Sequence, residues 1–264
     1  MIRGIWTRET AALLLLAAAL PVAVMWVVHG GPEVLGRLVF VLVMAGIWHL
    51  VFMLARAQPP SFSGAHAALL IAMLAPQGLG PVQLVLGISF GVVVAELAFG
   101  GWGRNVLNPA TVTLAFLGFG YPAAPWPELQ VTLGWAAIPA ALIGVGFGVV
   151  PWRVFAGAFA VALVAWATGA ALPREVLTAA LVILALIVAE PVTSAATHLG
   201  RWLNGALYAA LVLAFGAFWL DAAPVQLAIS AALLTSLAAP LLDEIAIACW
   251  FARRARRLGR KRLG

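Results

Sequence analysis

Long runs of hydrocarbon side chains fill this chain, and they dictate what its backbone can do. Read between charges, the runs lie near residues 11–28, 38–54, 65–75, 82–99, 106–121, 131–150, 154–172, 176–189, 203–220 and 224–242. A helix needs about 20 apolar residues to cross a bilayer. Lipid offers no water to backbone N–H and C=O groups, so each run must satisfy its own. With 64% hydrophobic residues, 9% charged residues and a mean hydropathy of +1.08, the chain leaves no room for a soluble domain. The expectation is one all-α polytopic membrane domain over residues 1–264, with about ten transmembrane helices. Two of the runs, 65–75 and 176–189, are too short to cross alone. The first run follows Arg3 and Arg8 and lacks a small-residue cleavage site, so it reads as a retained span rather than a signal peptide.

Charge gives an orientation. Seven of the fifteen Lys and Arg lie in the tail 251–264: Arg253, Arg254, Arg256, Arg257, Arg260, Lys261 and Arg262. Ten spans put both termini on one side, and an excess of basic residues marks that side as cytoplasmic. Arg56, Arg104, Arg153 and Arg201 then fall inside, while Glu33, Glu128, Glu175 and Asp221 fall outside; Arg37 and Arg174 are basic exceptions. The expected location is a bacterial inner membrane. The net charge of +6 reflects topology and attraction of the tail to anionic lipid, not a nucleic-acid partner. The single cysteine, Cys249, excludes an intrachain disulfide, and the four scattered histidines show no metal-ligand spacing. Tryptophans such as Trp26, Trp102, Trp126, Trp152 and Trp250 sit where spans meet headgroups and read as interface anchors.

The chain also looks doubled. Pro81-Val82-Gln83-Leu84 opens one span and Pro224-Val225-Gln226-Leu227 another, and a short segment halted at proline precedes each. Short, interrupted segments in corresponding positions point to two inverted repeats, about 11–122 and 131–242, with a midplane site between them. The Gly144/Gly148 pair suits close helix packing.

Two polar stretches break the hydrocarbon. The first combines Glu96 with Gly100-Gly101-Trp102-Gly103-Arg104-Asn105-Val106-Leu107-Asn108-Pro109. Gly101 and Gly103 allow backbone to approach a planar ligand, and Asn105 and Asn108 offer donors and acceptors. Asn108-Pro109 also suits a helix start, with Asn108 as N-cap. The second stretch is Glu190-Pro191-Val192-Thr193-Ser194-Ala195-Ala196-Thr197-His198. Hydroxyls and freed carbonyls at a broken helix can replace an ion's water, with Glu190 supplying charge. Asp243-Glu244 is a third acidic feature. Ionisable groups at membrane depth are functional candidates, which makes Glu190, Asp243, Glu96, Thr193 and Ser194 a candidate ion pathway.

These residues resemble one family. Leu86-Gly87-Ile88-Ser89-Phe90-Gly91, Glu96, Phe99-Gly100-Gly101, Asn105, Leu107-Asn108-Pro109-Ala110, Glu190-Pro191-Val192-Thr193-Ser194-Ala195 and Ala239-Pro240-Leu241-x-Asp243 look like its blocks, from about residue 65 to the C-terminus. The family, NqrB/RnfD, comprises a membrane component of the sodium-translocating NADH:quinone reductase and its counterpart in the related Rnf complex. The resemblance implies two inverted repeats, flavin carriers, and electron passage coupled to Na⁺ or H⁺ movement within a complex of several subunits. It implies a riboflavin site at Asn105 and Asn108, and cation-linked roles for Glu190 and Asp243. One departure stands out. The family's FMN-carrying threonine motif is missing after Tyr121-Pro122, and Ser63-Gly64-Ala65-His66 only echoes it. Any flavin, riboflavin or FMN, is therefore expected to be noncovalent. The rival reading is a stand-alone channel or transporter, because the fold resembles that of urea transporters.

Overall fold

The structure is a computed structural model. It describes residues 6–56 and 62–262, with side chains described as far as residue 255. Regular structure among them is entirely helical. Every apolar run in the sequence contains a helix. Among the described residues, four helices are long and apolar enough to cross a membrane: Arg8–Arg56, Pro81–Phe99, His198–Phe218 and Pro224–Ala255.

The first two runs merge into α1 (Arg8–Arg56), two helices joined end to end at Gly31. There φ is 64° and ψ −161°, a conformation open to glycine, and Pro32 follows with no N–H to give. Trp6 Nε1 donates to Phe147 O at one end of the first half, and His29 bonds Thr132 at the other. That half therefore lies antiparallel to α5 (Val131–Gly146). In the second half, Trp48 Nε1 donates to Ser89 Oγ of α3 (Pro81–Ala95) at 2.8 Å.

α2 (Ser63–Leu74) is central, with eleven of its twelve residues buried. It is about 18 Å long, against a hydrocarbon core of about 30 Å. Its end leaves backbone carbonyls inside the protein. Arg37 Nη2 donates to Ala75 O at 2.7 Å and to Pro76 O at 2.8 Å. This explains an arginine that fits no charge rule: it closes the broken helix.

α4 (Pro109–Gly120) packs on α3, and α6 (Trp152–Ala167) packs on α8 (His198–Phe218). α7 (Arg174–Ile183) continues through a π turn, Leu184–Val188, before the chain breaks at Glu190-Pro191. α9 (Pro224–Arg262) carries its helix through the basic tail. Close packing falls at different glycines from those the sequence suggests. A Cβ on Gly157 would strike the Trp202 carbonyl, and one on Gly205 would strike the Val154 carbonyl, so α6 and α8 touch backbone to backbone. Gly144 meets the Val150 side chain of its own connection, and Gly148 turns the chain at φ 71°.

Two tryptophans depart from the anchor reading. Trp26 is buried in the core. Trp102 is only 5% exposed and points inward, because its indole N–H has a carboxylate to meet. Trp152 and Trp250 are exposed, as anchors should be.

Candidate functional site

The site forms where the two polar stretches meet. After α3 the chain makes a 3₁₀ turn, Leu97–Phe99, and then reverses through Gly100, Gly101 and Gly103 at φ 102°, 87° and 92°. Side chains other than glycine rarely adopt that region. The reversal buries Trp102 and leaves Gly103 and Arg104 exposed. Asn105 braces it: Oδ1 accepts from Gly103 N–H and Nδ2 donates to Leu107 O, each at 3.0 Å. Asn108 then starts α4 as the sequence indicates, its Oδ1 accepting from the N–H groups of Ala110 and Thr111.

With its oxygen committed to the cap, Asn108 turns its amide N–H₂ to the second stretch. Nδ2 donates to Glu190 Oε2 at 2.6 Å. Thr193 Oγ1 donates to the same oxygen at 3.2 Å, and Trp102 Nε1 donates to Oε1 at 2.8 Å. Glu190 is 3% exposed and so receives three donors in place of water. Hydrogen bonds to an ionised carboxylate are the stronger kind, each contributing about 1.5–3 kcal/mol. The Glu190 carbonyl also accepts from Ser194 N–H, which closes the turn after the break.

Glu96 is buried nearby. Its Oε1 accepts from Ser63 Oγ at 3.1 Å, while Oε2 has no hydrogen-bond partner. Glu190 lies close enough to act electrostatically on both Glu96 and His66 of α2. The structure thus brings Glu96, Asn108, Glu190 and Thr193 together and adds Ser63, His66 and Trp102, which sequence reasoning does not assign to the site. In the sequence, Ser63 and His66 stand out only as an echo of a flavin motif. Ser194 is buried with Oγ unpartnered.

Asp243 meets the second polar stretch further along. Reaching from α9, its Oδ2 accepts from Ala196 N–H at 2.8 Å. Its Oδ1 accepts from Thr197 N–H at 2.8 Å and Thr197 Oγ1 at 2.6 Å. Thr197 Oγ1 in turn accepts from Gly200 N–H and caps α8. Asp243 therefore fastens the Glu190 loop to α9, with both carboxylate oxygens engaged.

The interior does not fit a flavin at the positions expected for one. Asn105 and Asn108 direct their polar atoms to their own loop and to Glu190. The cavity beside Asn108 has room for one water-sized sphere, not an isoalloxazine ring.

Two buried carboxylates, Glu96 and Glu190, thus sit inside an all-helical protein that has four helices long and apolar enough to cross a membrane among its described residues. Comparison with known proteins identifies the family. The NQR2, RnfD, RnfE family model matches residues 3–144, which include the glycine loop and Asn108. The B subunit of the Na⁺-translocating NADH-quinone reductase of Klebsiella pneumoniae is 38% identical over 130 residues, 49% of this chain and 29% of that protein. The protein of the same name from Neisseria meningitidis is 43% identical over 83 residues, 31% of this chain and 20% of its own. That of Yersinia pestis is 42% identical over 83 residues. The chain belongs to the NQR2, RnfD, RnfE family. Its match spans less than a third of the length of these relatives. Glu190 and Asp243 lie beyond the segment matched by the family model, and Glu190 is joined to that segment by its bonds to Trp102 and Asn108.

Proposed function

We propose that this chain is an integral membrane subunit of an ion-translocating, flavin-dependent electron transport complex, coupling electron transfer to Na⁺ or H⁺ movement. The observation that carries the reading is the buried bond between Asn108 and Glu190. It ties the glycine loop to a carboxylate at a broken helix, and ionisable groups held away from water inside a membrane protein mark ion pathways. The names of the relatives support ion translocation and partner subunits of a membrane redox complex.

The architecture proposed is ten spans in two inverted halves. The two parts of α1 with α2, α3 and α4 form one half, and α5 to α9 the other. Packing supports it: α3 on α4 mirrors α8 on α9, α2 on α4 mirrors α7 on α9, and α1 on α3 mirrors α6 on α8. The Pro-Val-Gln-Leu tetrapeptides open the fourth segment of one half and the fifth of the other, so packing rather than that match supports the repeat. The basic tail is proposed to lie on the cytoplasmic face of an inner membrane, against anionic lipid.

The flavin is proposed to be noncovalent and to lie outside the filled interior around Asn108. The test is purification of the chain from its native membranes with whatever subunits accompany it. The expected product holds further membrane subunits and a flavin absorbance that bleaches on reduction. A colourless chain that purifies alone contradicts the reading.

A further inference from the structure

A second polar feature lies beside Glu190, between the start of α4, the π turn after α7, α8 and α9. It is a small cavity walled by Asn108, Thr111, Thr193, Asn204, Thr235 and Ser236, together with Ile187 and Val188 of the π turn. All of these but Ser236 are buried. The protons of three of its hydroxyls point elsewhere. Thr193 donates to Glu190 Oε2, Thr235 to Ala231 O at 2.7 Å, and Ser236 to Leu233 O at 2.9 Å. A hydroxyl whose proton is committed presents only lone pairs. Two further atoms, Thr111 Oγ1 and Asn204 Oδ1, are fully buried and have no hydrogen-bond partner. Buried polar atoms left this way call for an occupant.

The cavity is therefore lined by the lone pairs of the Thr193, Thr235 and Ser236 hydroxyls and by the unpartnered oxygens of Thr111 and Asn204, with space for one water-sized particle. A hard monovalent cation meets neutral oxygens of the kind that replace its hydration shell. Glu190 supplies the charge from behind the wall, since two cavity residues, Asn108 and Thr193, are bonded to its carboxylate. A π turn in the wall suits this, because such turns break the regular helical bonding and gather at functional sites.

We propose that this cavity is a binding site for one dehydrated monovalent cation, held by Thr111, Thr193, Asn204 and Thr235 and balanced by Glu190. The assignment deepens the ion-translocating reading and rests on it for its purpose, but binding itself is measurable without any redox partner. The full chain, purified in detergent, is titrated with radioactive sodium while choline holds the ionic strength constant. The structure predicts saturable sodium binding. It predicts that Thr235→Val and Asn204→Leu each weaken binding about tenfold or more, the equivalent of losing one good oxygen partner, and that Thr235→Ser retains it. Monodisperse elution of each variant shows that it is folded. Absence of saturable binding to the folded wild type overturns the site and leaves water as the occupant. Binding that survives both Thr235→Val and Asn204→Leu overturns it as well. A chain that binds sodium here but joins no redox complex upholds the site and rejects the proposed function; a redox complex whose chain binds no sodium does the reverse.

Discussion

Asn108 and Glu190 stand 82 positions apart in the chain, yet the amide of one donates to the carboxylate of the other at 2.6 Å. Asn108 acts twice, since its oxygen caps α4 while its nitrogen holds Glu190. Replacing it with leucine removes a cap worth about 0.5–2 kcal/mol and one charge-assisted bond. Asn108→Leu should lower stability by roughly 2–4 kcal/mol, read as a fall in melting temperature of the detergent-solubilised protein. A melting temperature equal to wild type contradicts the double role.

Trp102 tests the same carboxylate from its other oxygen. Trp102→Phe keeps an aromatic ring but leaves Glu190 Oε1 without its donor. The expected loss is about 1–3 kcal/mol. If Trp102 were a headgroup anchor, the change would cost almost nothing, so a melting curve separates the two readings.

Much of this is legible in the sequence, and the exceptions have physical causes. The N-cap role of Asn108 follows from a local pattern, Asn-Pro before an apolar run, and the structure repeats it. Glu190 stands out because a carboxylate beside a proline break in hydrocarbon is conspicuous. Their partnership is hidden, because no periodicity reports a contact between two loops. Trp102 is misread since an indole near a span end looks the same whether its N–H meets a headgroup or a buried acid. The joining of the first two runs at Gly31 is also hidden: Gly30-Gly31-Pro32 reads as a turn, and the helix resumes directly after it.

Asp243 is predicted to hold the loop rather than offer an oxygen to a passing ion. Asp243→Asn replaces an acceptor with an N–H₂ that must face one of the donors at Ala196 and Thr197. Hydrogen exchange should rise across residues 191–199 and remain as in wild type in α3 and α4. Unchanged protection in that loop contradicts the clamp.

The contact of α6 with α8 leaves no space for a side chain. Gly205→Leu drives its Cβ into the Val154 carbonyl and should cost several kcal/mol, beyond the usual cost of about 1–3 kcal/mol for overpacking, because backbone must move. Gly146→Leu, where a Cβ meets nothing within 4 Å, is the matched control. Equal melting temperatures for the two variants contradict the backbone contact.

Orientation is open to labelling. With Cys249 changed to serine, single cysteines at positions 128 and 259 should react with an impermeant thiol reagent from opposite sides of the membrane. Position 128 is expected to label in intact cells and position 259 only after lysis. Equal labelling in intact cells contradicts ten spans with cytoplasmic termini.

Glu190 is proposed to carry the charge that moves a cation through this protein, and ion flux tests that role most directly. Vesicles containing the whole complex, driven by its electron donor, are compared for wild type, Glu190→Gln and Glu190→Asp. Glutamine removes the charge and presents an N–H₂ to one of the three donors that now converge on the carboxylate. Aspartate keeps the charge. The account predicts that coupled ion uptake is lost in Glu190→Gln and retained in substantial part in Glu190→Asp, at equal amounts of assembled complex. Full uptake in Glu190→Gln would contradict it and reduce Glu190 to a brace between two loops.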